Sequence, residues 1–372
     1  MKTVVVAGHV CVDLTPLLNA APSVEPGRLI GVGPLALSAG GCVGNTGPAL
    51  ASLGVPTQLV ADAGSDELGR VLVSLLGTSA ADSSGIGSLD GLGTSYSIVV
   101  DLAGRDRTFW HHIGANAAFD GGGVVERIEA AARLSGALAD DREVILHLGY
   151  PTHLPALYAD GGAVLLRLVA AARSAGATIS IDTAEIDPAS EAAVVDWESL
   201  LSRVLPDIDV MKASVDDLGS MMAGRRGIGP LAWADALLDL GAAVALVTAG
   251  SDGLYIRTAP AARIEAAGPA LRGSVRDWAN RELWVPSIAT RVTTTTGAGD
   301  AAAAGFLAGL ARGLGPVGSA LLSAAAAAAR ISGRPIVEAH QIAADIELGE
   351  APRSGWSPGL DRVFHGPRDE SA

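Results

Sequence analysis

The chain has 372 residues, 49% of them hydrophobic and 18% charged, and its 26 Lys+Arg against 40 Asp+Glu leave a formal charge of −14. So large an apolar fraction excludes wholesale disorder. The acidic balance argues against non-specific binding to nucleic acid or anionic lipid, both of which need clustered Lys and Arg, and favours a small-molecule partner.

In chain order, the opening MKTVVVAGHVCVD reads as a buried first strand, because His9 interrupts its apolar run and Asp13 ends it too early for a signal peptide. Asp13 then stands near a strand's carboxyl end, where α/β proteins place ligands. Cys11 and Cys42 are too widely spaced for a C-x-x-C element and have no His/Cys companions, so neither a disulfide framework nor a structural zinc is implied. Residues 28–37 alternate like a strand with no helix beside them. Next comes Ser38-Ala39-Gly40-Gly41-Cys42-Val43-Gly44-Asn45, read as a glycine turn before a helix over 47–53. Its glycines let a polar ligand approach the backbone, and Asn45 offers a hydroxyl both a donor and an acceptor. A turn with no ligand is the other reading.

A strand from Thr57 is followed by residues 95–111, which alternate again around a turn at 103–106. That alternation sets Phe109 and His111 on one face and Trp110 and His112 on the other, so adjacent histidines point apart and one of them, or Asn116, is a candidate ligand contact against ordinary packing. Segments 28–37 and 95–111 together predict a small antiparallel sheet outside the main layer, a lid. Helices over 124–138, 162–175 and 231–240 alternate with strands from Val144, Thr178 and Ala243, the rhythm of a mostly parallel sheet. His147, inside the Val144 strand, reads as a core histidine. The Ala243 strand ends at Thr248-Ala249-Gly250-Ser251-Asp252-Gly253, a glycine turn that either flanks a nucleotide or is a turn alone. Residues 258–282 read as a surface excursion anchored by Trp278 and Trp284.

The sharpest element is Thr293-Thr294-Thr295-Thr296-Gly297-Ala298-Gly299-Asp300, set before a small-residue helix over 300–312. Glycines there let backbone N–H groups point outward and the helix N-terminus adds partial positive charge, which makes an anion cradle. Asp300 at its edge is placed to take a proton from an alcohol attacking a bound phosphoryl group. A helix N-cap is the other reading of Asp300. A further helix is predicted over 318–331, and residues 355–372 form a tail. The longest small-residue stretch, 301–311, falls short of the ~20 apolar residues of a bilayer span, and a soluble cytoplasmic protein is the expectation.

Taken in order, Asp13, the GG-x-x-x-N element, TAGSDG and TTGAGD resemble the PfkB/ribokinase family of carbohydrate and nucleoside kinases over essentially the whole chain. The resemblance implies a ribokinase-like three-layer αβα domain, residues 1–354, with a mostly parallel central sheet, lid segments at about 14–38 and 93–116, and an insertion at about 258–282. It implies Asp300 as catalytic base and the backbone of Gly297, Ala298 and Gly299 as anion hole. By the same resemblance Asp13, Gly40, Gly41 and Asn45 contact a sugar. Thr248, Gly250 and Gly253 flank ATP, Ser214 and Asp217 stand where the family has Asn-x-x-Glu, and Mg²⁺ arrives on the nucleotide. No protein metal site is expected, and the lid implies a homodimer.

Three positions depart from the family pattern. Thr294 replaces an Asp that helps bind a monovalent cation in similar kinases, so added K⁺ is expected to have little effect. Ser214 and Asp217 shorten the Asn-x-x-Glu element. Gly149-Tyr150 stands where ribokinase-like proteins place a sugar-binding Glu, so ribose specificity does not transfer. A nucleoside kinase on the same fold and a non-catalytic sugar or nucleotide sensor are the alternatives. A dinucleotide-dependent oxidoreductase is set aside, because Gly8-His9-Val10-Cys11 is not the G-x-G-x-x-G it requires.

Overall fold

The computed structural model describes residues 1–18, 25–100, 107–134, 143–225, 227–288 and 290–345. The turn expected at 103–106, the end of the helix expected over 124–138 and the tail at 355–372 lie outside the described residues. Among the described residues thirteen strands form two sheets: β1 (Thr3–Gly8), β2 (Cys11–Pro16), β3 (Leu35–Gly40), β4 (Thr57–Gly64), β5 (Asp82–Leu89), β6 (Tyr96–Val100), β7 (Thr108–His112), β8 (Val144–Gly149), β9 (Thr178–Asp182), β10 (Val210–Ser214), β11 (Val244–Thr248), β12 (Leu254–Thr258) and β13 (Glu282–Val285).

The larger sheet has nine strands in the order β13-β12-β11-β10-β9-β8-β1-β4-β5. Pairing is parallel from β5 to β11 and antiparallel at β11/β12 and β12/β13. A parallel sheet needs cover on both faces, and its central strands read as unbroken apolar runs rather than alternations. TVVVAG of β1 is buried throughout, with Val4 and Val6 packing into one apolar cluster and Val5 and Ala7 into the other. Each fully buried Val or Leu in these layers contributes about 1.5–3 kcal/mol.

The smaller sheet has the order β3-β2-β6-β7. Its register sets two rows of opposite character across the strands. Ser38, Asp13, Ser97 and His111 lie in one row, and Leu37, Leu14, Ile98 and Trp110 in the next, on the other face. A period of two sets the two rows on opposite faces: His111 of the polar row reaches His9 of the body, while in the apolar row Leu37 and Trp110 are exposed and Leu14 packs against the core.

Several boundaries differ from the sequence expectation. Of residues 28–37 only the stretch from Leu35 is strand, and it runs on to Gly40 because pairing with β2 holds Ser38, Ala39 and Gly40 extended. Gly41, with φ +74, makes the corner, and the helix Gly41–Ser52 starts there rather than at residue 47. Asn45 is therefore a helical residue and not part of a turn. The segment 258–282 is not a surface excursion: it folds into three short helices, Ala261–Glu265, Pro269–Arg272 and Val275–Trp278, whose Ile264, Leu271 and Trp278 are buried. The helix Pro155–Ser174 is long and apolar enough to cross a membrane by length and composition. Its backbone breaks at Ala159–Gly162, and Leu157, Leu165, Leu168 and Val169 are buried in the core.

Candidate active site

The carboxyl ends of β1, β8, β9 and β10 meet the N-terminus of the helix Ala298–Arg312 beneath the small sheet. Gly297, in the left-handed region at φ +73, is the N-cap of that helix, so Asp300 is not the cap but a first-turn residue, aimed across the cleft. Three side chains donate to it: Tyr150 Oη to Oδ1 at 2.7 Å, Thr46 Oγ1 to Oδ1 at 3.1 Å and Asn45 Nδ2 to Oδ2 at 3.1 Å. Burial pushes the Asp300 carboxyl above its ordinary range, opposed by the Tyr150 hydrogen bond, the Lys212 charge and the Thr46 and Asn45 hydrogen bonds. Tyr150, whose own pKa burial raises further, stays a phenol and hence a donor. A carboxylate with a raised pKa, held as an acceptor beside an open helix N-terminus, can take a proton from a hydroxyl.

Tyr150 reaches Asp300 because of an unusual backbone. It follows β8 with φ +58 and ψ +53, a left-handed conformation costly for a bulky residue and found mostly at functional sites. Its N–H donates to the Asp182 carbonyl at 2.9 Å, which fixes the bend.

Asp13 lies in the body-facing row of the lid and is 7% exposed. Burial raises its carboxyl to about 6, with the Asp300 charge adding to the shift and hydrogen bonds from Cys11 and Ser97 opposing it. Gly40 is glycine for Asp13's sake: a Cβ there would stand 2.5 Å from Asp13 Oδ1. Its backbone, φ −126 and ψ −178, suits any residue. Gly40→Ala should therefore leave folding nearly intact and displace the Asp13 carboxylate. The expected result is a 10–100-fold rise, roughly, in KM for the hydroxyl substrate with ATP affinity unchanged, measured by steady-state kinetics and ATP titration. Gly41 has a different reason, since a Cβ would meet His9 O at 2.7 Å and His9 Nδ1 more closely still.

Sequence reasoning missed the charges behind the cradle. Lys212 Nζ, from within β10, pairs with Asp182 Oδ1 at 2.9 Å, and both side chains are buried. Burial raises Asp182 to about 8 against the pull of Lys212; burial lowers the Lys212 ammonium, but the Asp182, Asp217 and Asp300 carboxylates together hold it above its ordinary range. A Cβ on Gly299 would stand 3.0 Å from Lys212 Nζ, so the glycine brings the cradle's backbone directly onto a buried positive charge. Arg330 Nε donates to the Thr296 carbonyl at 2.8 Å, and Arg107, just before the lid strand β7, donates to Thr296 Oγ1. No local motif announces Lys212 or Arg330. Each comes from an element remote in sequence.

The expected nucleotide-side residues gather at the next strand ends. Thr248 pairs with Ser214 across β10 and β11. Ser214 and Asp217 form a reciprocal cap on the helix Val215–Met221, Asp217 N donating to Ser214 Oγ at 3.0 Å and Ser214 N to Asp217 Oδ2 at 2.8 Å. Gly250 has open space around it, whereas Gly253 at φ +96 is required by the close approach of Val285 and Pro286. Among the expected residues, Asp13, Gly40, Gly41, Asn45 and Gly297–Asp300 converge around one cleft, with Thr248, Gly250, Gly253, Ser214 and Asp217 on the strand ends beyond Lys212. His111 faces the cleft and His112 turns away, while Asn116 is buried and bonded to the backbone of Val10.

Residues 1–335 match the family model described as pfkB family carbohydrate kinase. Among solved structures, the chain is similar to Arabidopsis thaliana ribokinase complexed with ribose and ATP, at 19% identity and TM-score 0.66 over 92% of this chain and 98% of that one. Xylella fastidiosa fructokinase with bound ATP gives 20% identity and 0.65 over 91% and 94%. Methanocaldococcus jannaschii nucleoside kinase gives 17% and 0.61 over 93% and 99%. No curated protein sequence matches the chain.

Proposed function

The chain belongs to the pfkB family of carbohydrate kinases, and from that premise we propose that it transfers the γ-phosphoryl group of ATP to a hydroxyl of a sugar or sugar-like molecule, with Asp300 as general base. The observation that carries this reading is the placement of Asp300: a buried acceptor, held by Tyr150, Thr46 and Asn45, one helical turn inside a glycine cradle backed by Lys212. In the proposed sequence the lid closes over the substrate, Asp13 orients it, and Asp300 accepts the proton as the hydroxyl attacks in line. The backbone N–H groups of Gly297, Ala298 and Gly299, with Lys212, stabilise charge on the transferred group. Asp217 spends one carboxylate oxygen on its cap, and its other oxygen would suit a Mg²⁺ or its water; the ion when bound would neutralise phosphate charge.

The lid's apolar row supports a homodimer. Leu35, Leu37 and Trp110 are 56%, 41% and 49% exposed on its outward face, an unpartnered strip of the kind that marks an interface. Cys11 and Cys42 are free thiols, compatible with a reducing cytoplasmic setting. At the cradle's entrance, Thr294 Oγ1 accepts from Thr296 N at 3.1 Å, so its hydroxyl serves the loop itself. Exchanging Na⁺ for K⁺ should change kcat by less than about twofold in a coupled assay.

The deciding experiment is ADP production from Mg·ATP across pentoses, hexoses, ketoses and nucleosides, with Asp300→Asn beside every active well. Turnover on one class, lost in the variant, supports the reading and names the substrate. No turnover, with a melting shift from ATP or a sugar, would favour a sensor.

A further inference from the structure

Outside the phosphoryl-transfer machinery, three imidazoles from three separate elements converge beneath the lid. His9 follows β1, His111 is on the lid strand β7, and His153 ends the short helical turn after Tyr150. One nitrogen from each ring lies within 4.8 Å of the other two. His9 Nε2 and His111 Nε2 are 3.3 Å apart. A tetrahedral Zn²⁺ with Zn–N bonds of about 2.0–2.1 Å holds its ligand nitrogens about 3.3–3.4 Å from one another.

The hydrogen bonds around the trio set the tautomers that ligation requires. His153 Nε2 is 2.9 Å from the Glu185 carbonyl, which only accepts, so Nε2 carries the proton and Nδ1 the lone pair. His111 Nδ1 is 3.0 Å from Ser97 Oγ, and Ser97 in turn bonds Asp13. The Ser97 proton serves the carboxylate, so His111 donates from Nδ1 and presents a bare Nε2. Both arrangements are the outer-sphere pattern that orients histidine ligands on metals. His9 Nδ1 has no hydrogen-bond partner, which leaves His9 only Nε2 with which to engage anything in the cluster.

We propose that His9, His111 and His153 form a binding site for a single transition-metal dication of the Zn²⁺ class, clasping the lid to the body of the protein. Two ligands come from the body and one from the lid, so the ion favours the closed lid over any open one. Three histidines leave a tetrahedral ion one further position for water or an oxygen ligand. Tyr150 packs against this site, its ring 5.8 Å from His9 and 6.1 Å from His153, so the ion would stand one phenol ring away from Asp300. Through His111 and Ser97 it would also reach Asp13. The metal site itself does not depend on the kinase reading.

The test needs neither ATP nor a sugar. Full-length protein without a polyhistidine tag is stripped with chelator, then titrated with Co²⁺ and with Zn²⁺. The expected result is one equivalent bound, the intense visible absorption of four-coordinate Co²⁺, and a rise in melting temperature that tracks free metal. His111→Ala removes a ligand from the exposed lid strand and should weaken binding by about 100-fold or more, with His153→Ala behaving alike. His112→Ala, on the opposite face of the same strand, should bind as the unaltered protein does. No stoichiometric binding, or Co²⁺ spectra and melting shifts retained in His111→Ala, would overturn the proposal. Should His153→Ala fail to fold, the His111→Ala and His112→Ala pair decides. Metal binding that behaves as expected, with kinase activity absent, would leave the site standing and count only against the kinase.

Discussion

Asp300→Asn should lower kcat by about 10²–10⁴-fold while leaving the affinity for ATP nearly unchanged. The amide keeps the volume of the carboxylate and its acceptor oxygen for Tyr150 and Thr46, and the cradle is backbone, so the loss isolates the proton acceptance. Steady-state kinetics against both substrates, with ATP binding measured separately, checks it. Unchanged turnover would remove Asp300 as the base. The pH dependence carries a second signature. Asp13 is raised to about 6 by burial, so it loses its charge as pH falls toward and below 6; burial raises Asp300 as well. Substrate affinity and rate should both decline on that acid limb. Stability runs in the opposite sense. A carboxyl raised on folding stabilises below its unfolded pKa, and that contribution is lost as pH rises through about 6. Asp13→Asn should consequently melt higher than the unaltered chain at pH 8, with the gap closing toward pH 4.

Lys212→Met is expected to cost about 3–5 kcal/mol of stability, because it leaves Asp182 buried without its partner. Asp182 cannot escape to solvent: it is 0% exposed and its Oδ1 already accepts from Thr183 N at 2.8 Å. The double variant Asp182→Asn/Lys212→Met removes both charges and should recover most of that loss, giving a non-additive cycle in urea midpoints. Turnover should not recover in the double variant, since the ammonium behind Gly299 is still missing. A loss in the double variant equal to the sum of the losses in Lys212→Met and Asp182→Asn alone would mean that the pair does not couple.

What could be read in advance was whatever is local in sequence. TTGAGD carries its cradle and its carboxylate in six consecutive residues, and the alternation of β7 placed His111 and His112 on opposite faces, as the register bears out. The helix over 41–52 was harder, because Gly41, Gly44 and Gly47 look like a turn until the strand before them pairs with β2 and the close approach of Leu59 to Gly47 is seen. Residues 258–282 misled for a related reason: Ala, Arg and Gly dominate the letters, and the buried Ile264, Leu271 and Trp278 recur only every seventh position. Tyr150 was noticed as a departure, yet nothing in its neighbourhood encodes a left-handed φ. Lys212, Asp182, Arg330, His9 and His153 act through partners dozens to hundreds of residues away, and only the topology brings them together.

Every residue from Asp300 to Ala311 is buried. Gly305 and Gly309 let the neighbouring helix Gly315–Ile331 approach until a Cβ on either would collide with the backbone of Leu322 or Ser319. A helix so enclosed has no room to shift, and the reacting carboxylate it carries is in effect an anvil. Backbone amides along 302–311 should then exchange their hydrogens with deuterium only through global unfolding, making their rate a direct gauge of the whole chain's stability. Ligand addition should slow these amides only as far as it stabilises the whole chain, whereas the lid strands and the cradle amides should gain protection beyond that.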